Sequence, residues 1–478
     1  MRIYNTISGK AEEFSPQDGN RVRMYVCGIT PYDKSHLGHA RTVVSFDFIR
    51  RYLLFRGYSV KYVQNVTDID DKIIRRAHER KMAPLALSQK YAAESEREFE
   101  KLGVMKPDFS PKVSGSILEI IALVSRIEKN GFAYVTESGV YFDVLKFAPY
   151  GSLSHQSPDQ IKSGARVEVD EKKKNPQDFC LWKLSGEPGV TFPSPWGRGR
   201  PGWHIECSAM ATSALGDTLD IHGGARDLIF PHHENEIAQS EAATGKKFVR
   251  LWMHTGFLTV NGEKMAKSLH NFITIEEGLE KFSPQPIRML FALSHYRSPI
   301  DFSESAIEAA GNSLATLHSA ISAAESYTSS AAGDYVLRHS SPPAAAGGDG
   351  GLRKAAADAE SEFMSRMDDD FDTPNAMAAL FSLARKISGA ASEGAVSPEA
   401  VKQAAAALQK LLAVLALAPM QENGTKVSEK EIQEAIARRN EARKKKDFAA
   451  SDAIRNELSE KGVLLEDRKD GTTGWRRK

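Results

Sequence analysis

The chain has 478 residues, 41% hydrophobic and 26% charged, with 63 basic and 62 acidic side chains giving a net charge of +1. At ~150 residues per domain this length supplies core for about three domains, and no run nears the ~18 consecutive apolar residues of a membrane span. The charge balance excludes a globally basic nucleic-acid binder, so any RNA surface must come from local patches.

Cysteine occurs only at Cys27, Cys180 and Cys207. That is no disulfide framework, and it suits a reducing compartment. The opening MRIYNTISGKAEEF lacks the apolar stretch of a secretory signal, so a cytoplasmic location is expected.

Met24–Ile29 reads as a short buried strand. It breaks into a polar loop at Pro31 and reaches His36-Leu37-Gly38-His39. From His39 to Phe55, Val44, Phe48, Ile49, Tyr52, Leu53 and Phe55 recur at helical spacing, and Gly57 suits the turn beyond. Tyr58–Val66 reads as the next strand. The three form a βαβ unit whose first loop lies at the carboxyl edge of a parallel sheet. A glycine there admits a ligand close to the backbone, and free N–H groups at a helix start favour a phosphate. Imidazoles flanking the glycine can donate to phosphoryl oxygens as charge builds. The alternative is that His36 and His39 only cap the helix. At Thr67-Asp68-Ile69-Asp70-Asp71 the aspartates either bind a metal or a ribose or cap the next helix. Thr67 is nearest the strand tip and best placed to touch a small substrate. Helices follow to Leu102.

Residues 116–200 read as an insertion, with a helix over Ile117–Lys129 and strands at Ala133–Val135 and Val140–Val144. Gly202-Trp203-His204-Ile205-Glu206-Cys207 and Leu219-Asp220-Ile221-His222-Gly223-Gly224 each place polar residues at a strand tip. Pro231 opens a helix with His232, Glu236 and Ser240 on one face, closed by Gly245. Phe257–Val260 and Asn261-Gly262 give a strand and a tight turn, on which Lys264-Met265-Ala266-Lys267-Ser268 hangs. From Ser303 the pattern is helical, through Ile307, Leu314, Leu317 and Ile321. Ser340–Gly351 reads as a flexible low-complexity loop. Asp372-Thr373-Pro374 starts a helix with proline at its first position, and Val401–Leu417 is a further apolar helix stopped by Pro419. Ser428-Glu429-Lys430-Glu431 is a capping-box start. Beyond it lie Arg438, Arg439, Arg443 and Lys444–Lys446, then Arg468, Lys469, Trp475, Arg476, Arg477 and Lys478. This basic region is either a solvated face or, with bases stacked on the aromatic, a surface for single-stranded RNA.

Zinc prefers thiolate and imidazole, with carboxylate as a third option. Cys27, Cys207 and the i, i+4 pair His232/Glu236 would make a Cys₂HisGlu site if their three elements meet. Inert buried thiols are the alternative, and that is the reading of Cys180. His233, about 100° round the helix from His232, is the neighbour that could take its place.

HLGH at 36–39 with KMAKS at 264–268 resembles the HIGH and KMSKS signatures of class I aminoacyl-tRNA synthetases, with Leu37 for Ile and Ala266 for the first Ser. The stretches YVCGITPYD, NVTDIDDK, GWHIECSAM and FPHHENEIAQS narrow the resemblance to cysteinyl-tRNA synthetases, over essentially the whole chain. The fold this implies is α/β. A Rossmann-like (HUP-type) parallel-sheet catalytic domain occupies 1–115 plus 201–256, interrupted by a connective-peptide insertion at 116–200. That module lies near the tRNA acceptor end and, at 85 residues, is short for hydrolytic editing. Next come a KMSKS-loop and stem-contact region at 257–302, an α-helical bundle at 303–420 and a small anticodon-binding domain at 421–478.

The resemblance also implies ATP-dependent ligation of L-cysteine to tRNA(Cys) through cysteinyl-adenylate. It implies one zinc per chain on Cys27, Cys207, His232 and Glu236. ATP, as its magnesium complex, would meet Gly28, Thr30, His36, Gly38, His39, Lys264, Lys267 and Ser268, with the two histidines and two lysines catalytic. Cysteine would meet Thr67, Trp203 and Asp227, with capping of the following helix as the alternative for Asp227. Zinc has a physical rationale: a soft thiolate binds it strongly and a serine hydroxyl poorly, which would explain why no editing-sized insertion is present. A monomer is expected. The alternatives are a cysteine:amino-sugar ligase of the mycothiol type and a non-catalytic RNA-binding paralogue, the latter suggested only by Ala266.

Overall fold

A hairpin, β1 (Arg2–Asn5) with β2 (Lys10–Glu13), precedes the expected βαβ unit: β3 (Arg21–Ile29), α1 (Leu37–Phe55) and β4 (Ser59–Val66). The computed structural model describes residues 1–478 apart from 157–172, 261, 265–271, 339–345, 395, 420–428, 446, 461–462, 468–472 and 478. After α2 (Asp71–Arg80), α3 (Pro84–Lys101) and α4 (Ile117–Lys129), the insertion forms an antiparallel sheet of β5 (Ala133–Val135), β6 (Gly139–Phe142), β7 (Phe179–Leu184) and β8 (Gly199–Pro201). The chain returns through α5 (Trp203–Leu215), β9 (Leu219–Ala225), α6 (Glu234–Thr244) and β10 (Val249–Thr255). The central sheet is parallel, in the order β10-β9-β3-β4. Because β3 sends its crossover to β4 on one side and has β9 on the other, its carboxyl end is the topological switch point, where such sheets bind ligands.

Both faces of β3 are covered. Val22, Met24 and Val26 join one core with α1 and the helical bundle, while Tyr25 and Cys27 join the other with Ile117, Ile205, Cys207 and Ile237. Side chains alternate faces along a strand, so the parity of the apolar run fixes which face Cys27 occupies. That is the face of α5 and α6.

A small sheet follows, β11 (Leu258–Val260) flanked by β12 (Glu263–Lys264) and β13 (Ile300–Phe302), with α7 (Ile275–Lys281) and α8 (Pro284–Ala292) between. The bundle is α9 (Glu304–Arg338), α10 (Ala346–Met367), α11 (Thr373–Glu393) and α12 (Pro398–Val414). Asp372 caps α11, so Pro374 sits one position later than expected, at the second helical residue. Residues 346–351 of the expected flexible loop are the first turns of α10, and 339–345 lie outside the described residues.

Met1–Ala418 forms one compact unit and Pro419–Lys478 another. The second is α13 (Glu429–Lys444), α14 (Phe448–Glu460) and the hairpin β14 (Val463–Asp467) with β15 (Thr473–Arg477), around Ile432, Ile436, Leu458 and Val463. Ser428 lies outside the described residues. Arg439 is not part of a solvated basic face: it is buried, and its Nη1 donates to Thr473 Oγ1 at 3.2 Å. Trp475 is half-buried against this core.

Candidate active site and metal centre

At Gly28 the ladder between β3 and β4 shifts register, and a Cβ there would stand 1.7 Å from Asn65 O. Only glycine fits this approach, and its N–H donates to Asn65 Oδ1 at 2.8 Å. The result opens the strand end into a cavity of about 280 Å³. Cys27, Gly28, Thr30, His36, His39, Thr67, Trp203, Cys207, Asp227 and His232 all line it, together with Tyr32, Gln64, Asn65 and Lys72, which the sequence did not single out.

His36 and His39 cap the helix and also line the cavity. His36 is the N-cap of α1: its Nδ1 accepts Gly38 N–H at 3.1 Å, and its own N–H donates to His39 Nδ1 at 3.3 Å. The rings stack at 3.7 Å and face the cavity. Leu37 N–H is taken by Ile273 O at 3.1 Å. The expected free amides at this helix start are therefore engaged, and imidazoles rather than N–H groups are presented to a ligand. Burial, with His36 and Lys72 nearby, holds His39 well below the ordinary histidine pKa, so it is neutral. With Nδ1 accepting in both rings, the neutral tautomer carries its proton on Nε2.

The four metal-ligand candidates converge. One atom from each of Cys27, Cys207, His232 and Glu236 lies within 4.8 Å of all the others, and every one is buried. Cys27 Sγ is 3.7 Å from Cys207 Sγ and 3.5 Å from Glu236 Oε1, and His232 Nε2 is 3.1 Å from Glu236 Oε1. Cys207 is not at a strand tip as read from sequence, because Gly202 ends the strand segment and Trp203 begins α5. Pro231 does not open α6 either: Phe230 is extended (φ −135°, ψ 132°), residues 229–233 form an irregular turn, and the regular helix starts at Glu234.

Apart from His233, the supporting ring of histidines was not legible in the sequence. His204 Nδ1 lies 3.0 Å from His232 Nδ1, and His222 Nε2 lies 2.9 Å from Glu236 Oε2. His233 Nε2 is 3.3 Å from Cys27 Sγ, and its Nδ1 is 2.7 Å from His254 Nε2. Cys27, His222, His233 and Glu236 make a second set of four that overlaps the first.

Charge follows proximity. Burial opposes ionisation of Glu236, but His222 and His232 outweigh it and hold its carboxyl down at about 2. Burial also opposes charge on His232, yet Cys207 and Glu236 raise it. Hydrogen bonding from Cys27 pulls Cys207 down, while burial and Cys207 itself push Cys27 up. Such a group, with no disulfide between its free thiols, could hold a metal ion.

Thr67 Oγ1 accepts from Asn65 Nδ2 at 3.1 Å at the cavity wall. Trp203 lies 4.6 Å, ring to ring, from His232. Asp227 is exposed on the turn after β9; no side-chain cap bond is formed at the helix starts that follow it. Asp70 caps α2 through Lys72 N–H, and Asp68 holds Ser114, which accounts for both structurally. Lys264 ends β12; Lys267 and Ser268 lie outside the described residues.

Sequence models of three families match the chain: tRNA synthetases class I (C) catalytic domain over 13–312, DALR domain over 362–419, and cysteinyl-tRNA ligase anticodon binding domain over 429–476. The cysteine–tRNA ligase of Mannheimia succiniciproducens is 46% identical over 484 residues, covering 100% of both chains. That of Chromohalobacter salexigens is 45% identical over 482 residues, covering 99% of each. Among solved structures, Mycobacterium tuberculosis methionyl-tRNA synthetase with methionyl-adenylate superposes at TM-score 0.63 and 16% identity, over 83% of this chain and 90% of that one. A putative arginyl-tRNA synthetase of Campylobacter jejuni does so at TM-score 0.56 and 12% identity, over 86% and 95%. These two likenesses concern the fold alone. No described helix is long and apolar enough to cross a membrane.

Proposed function

Since the chain belongs to the cysteine–tRNA ligases, class I enzymes that join L-cysteine to tRNA(Cys) at the expense of ATP, we propose that the cavity at the end of β3 is where it activates cysteine. Cys27, Cys207, His232 and Glu236 are the proposed ligands of one zinc ion. Their spacing fits: two ~2.3 Å zinc–sulfur bonds at a tetrahedral angle put the sulfurs about 3.8 Å apart, against 3.7 Å here. When bound, zinc supplies a soft Lewis acid that favours a thiolate over a hydroxyl. His204 and His222 orient His232 and Glu236 from behind, as second partners of metal ligands do.

Asp227 is assigned the substrate ammonium, with Thr67 and Trp203 as pocket walls. The cysteine carboxylate then attacks the α-phosphorus of magnesium-bound ATP in line, and pyrophosphate leaves. In such a reaction the protein mainly positions groups and offsets charge. Gly28, Thr30 and Gly38 let the nucleotide approach, and His36 and His39 donate to phosphoryl oxygens. Lys264 and Lys267 meet the β- and γ-phosphates as the loop closes, and Ser268 is a further ATP contact. In the second step a terminal ribose hydroxyl of tRNA attacks the activated carbonyl and AMP leaves. The domain limits read from sequence stand as part of this proposal, as does action as a cytoplasmic monomer, which sedimentation of the full chain tests.

The observation that carries the reading is the convergence of two thiols, an imidazole and a carboxylate, the thiols and the imidazole lining a cavity together with His36 and His39. A cysteine:amino-sugar ligase and a non-catalytic paralogue are not favoured, because the anticodon-domain match and the full-length relatives both point to tRNA charging. The test is cysteine-dependent ATP–pyrophosphate exchange before and after chelation. Exchange should vanish with the metal and return with added zinc; undiminished exchange in metal-free protein would overturn the zinc assignment.

A further inference from the structure

Asp368-Asp369-Asp370-Phe371-Asp372 joins α10 to α11. Asp370 (φ 57°) and Phe371 (φ 54°) are consecutive non-glycine residues in left-handed backbone. Each costs on the order of 1–2 kcal/mol, and such strain persists only where the surroundings fix it.

Here the surroundings come from β1, from the helix that HLGH opens and from the segment 295–297. Asp370 is 6% exposed. Its Oδ1 accepts the Tyr4 N–H and the Tyr296 hydroxyl, each at 2.8 Å. Its Oδ2 accepts Arg297 Nε at 2.7 Å and Nη2 at 2.6 Å, with His295 Nε2 at 3.6 Å. The Phe371 ring lies 6.1 Å from Tyr52 and 6.4 Å from Tyr296. Tyr52, whose hydroxyl donates to Asp368 Oδ1 at 2.7 Å, belongs to α1, the helix opened by HLGH. Tyr296 and Arg297 lie in the segment running from α8 into β13, which pairs with β11 and so supports β12 and Lys264.

That segment is pressed onto the start of the small sheet. Gly256 N–H donates to Tyr296 O at 2.8 Å, and a Cβ on Gly256 would meet Ser298 O at 2.2 Å. From the other side Arg41, buried on α1, donates to His295 O at 2.7 Å and Phe291 O at 3.1 Å. The Asp370 carboxylate thus ties the bundle to β1 and to the segment that supports Lys264, and the HLGH helix holds the same segment through Arg41 and the same loop through Tyr52.

We propose that Asp370 is a positioning residue for ATP, holding the β11–β12–β13 sheet, and with it the backbone at Lys264, in register with HLGH. This rests on the assignment of Lys264 and Lys267 to the phosphates. Asp370→Asn keeps an acceptor for Tyr4 and Tyr296 but turns an NH₂ group toward the Arg297 guanidinium. Arg297→Lys keeps the charge and loses the planar fork. In ATP–pyrophosphate exchange by the full-length enzyme, both should raise KM for ATP about tenfold and leave KM for cysteine and bound zinc within about twofold. Tyr296→Phe, which removes a single bond, should show the same split more weakly and covers the case that Asp370→Asn fails to fold. An unchanged KM for ATP, or equal rises in both KM values, overturns the proposal. Lys267→Ala is measured alongside. If it leaves ATP kinetics unaltered, the phosphate assignment fails while the Asp370 result is read by itself.

Discussion

Arg288→Met should destabilise the larger unit severely. Arg288, on α8, is 1% exposed and its Nη2 lies 2.7 Å from Asp47 Oδ2 on α1. Its other donors reach Leu415 O at 2.8 and 3.2 Å and Leu102 O at 3.1 Å. Removing one partner of a buried pair costs about 3–5 kcal/mol because the other charge is left uncompensated. Asp47 retains Arg51 Nε at 2.8 Å and Met105 N–H at 2.9 Å, which argues for the low end. Leu102 and Leu415 each lose a charged donor, adding about 1–3 kcal/mol apiece where water does not enter. The apolar methionine returns about 2 kcal/mol. The net loss is about 4 kcal/mol, a large part of the roughly 5–15 kcal/mol of a typical fold. Urea unfolding of the full-length protein, followed by far-UV circular dichroism, measures it. The double variant Asp47→Leu/Arg288→Met removes the stranded charge and should recover at least half of the loss. A single-variant effect below about 1 kcal/mol, or strict additivity in the double variant, would refute the reasoning.

Cys207→Ser should weaken zinc binding by more than about 100-fold, since losing outer partners of metal ligands alone costs 10–100-fold; competition with a chromogenic chelator reads this. Cysteine-over-serine selectivity should fall with it, and retained selectivity would end the idea that zinc favours the substrate thiolate over a hydroxyl. Glu98→Gln should stabilise the fold at pH 8 and do little near pH 4.5. Burial, then Glu276 and Glu94, push the Glu98 carboxyl up to about 7 from an ordinary 4.5, against Lys34 and Lys101. An acid raised in the fold contributes stability with its proton on, and that contribution fades between pH 4.5 and 7. For a fully buried group the gap would be about 3 kcal/mol; Glu98 is partly exposed, so about 1–2 kcal/mol is expected in melting curves taken at both pH values. Residues 1–418, one compact unit with its own cores, should keep cysteine-dependent exchange and lose about 100-fold in tRNA charging, equivalent to roughly 2.7 kcal/mol of tRNA binding. Full charging by that fragment would refute the role given to 421–478.

What was legible in the sequence was local periodicity and its parity. The apolar run of β3 placed Cys27 on the face opposite Val26, and that face carries Cys207 and Glu236. What was not legible came from contacts between distant segments: Arg288 with Asp47, Asp370 with Tyr296 and Arg297, His222 with Glu236. No spacing rule links such residues, because their partners are chosen by packing after the strands have met. His232 and His233 show the limit most sharply. On a regular helix, neighbours point about 100° apart and only one of the two should reach the thiols. Phe230 is extended, however, and residues 229–233 form an irregular turn, so both rings arrive: His232 Nε2 at 3.1 Å from Glu236 and His233 Nε2 at 3.3 Å from Cys27. What separates them is the second nitrogen of each ring. His232 is backed by His204 beside the exposed Trp203 at the cavity, whereas His233 is backed by buried His254, itself 2.8 Å from Thr6 Oγ1. His232 therefore faces the side from which a substrate thiol can enter, and His233 faces the interior. That asymmetry, rather than any spacing in the chain, is the physical ground for assigning the ligand role to His232.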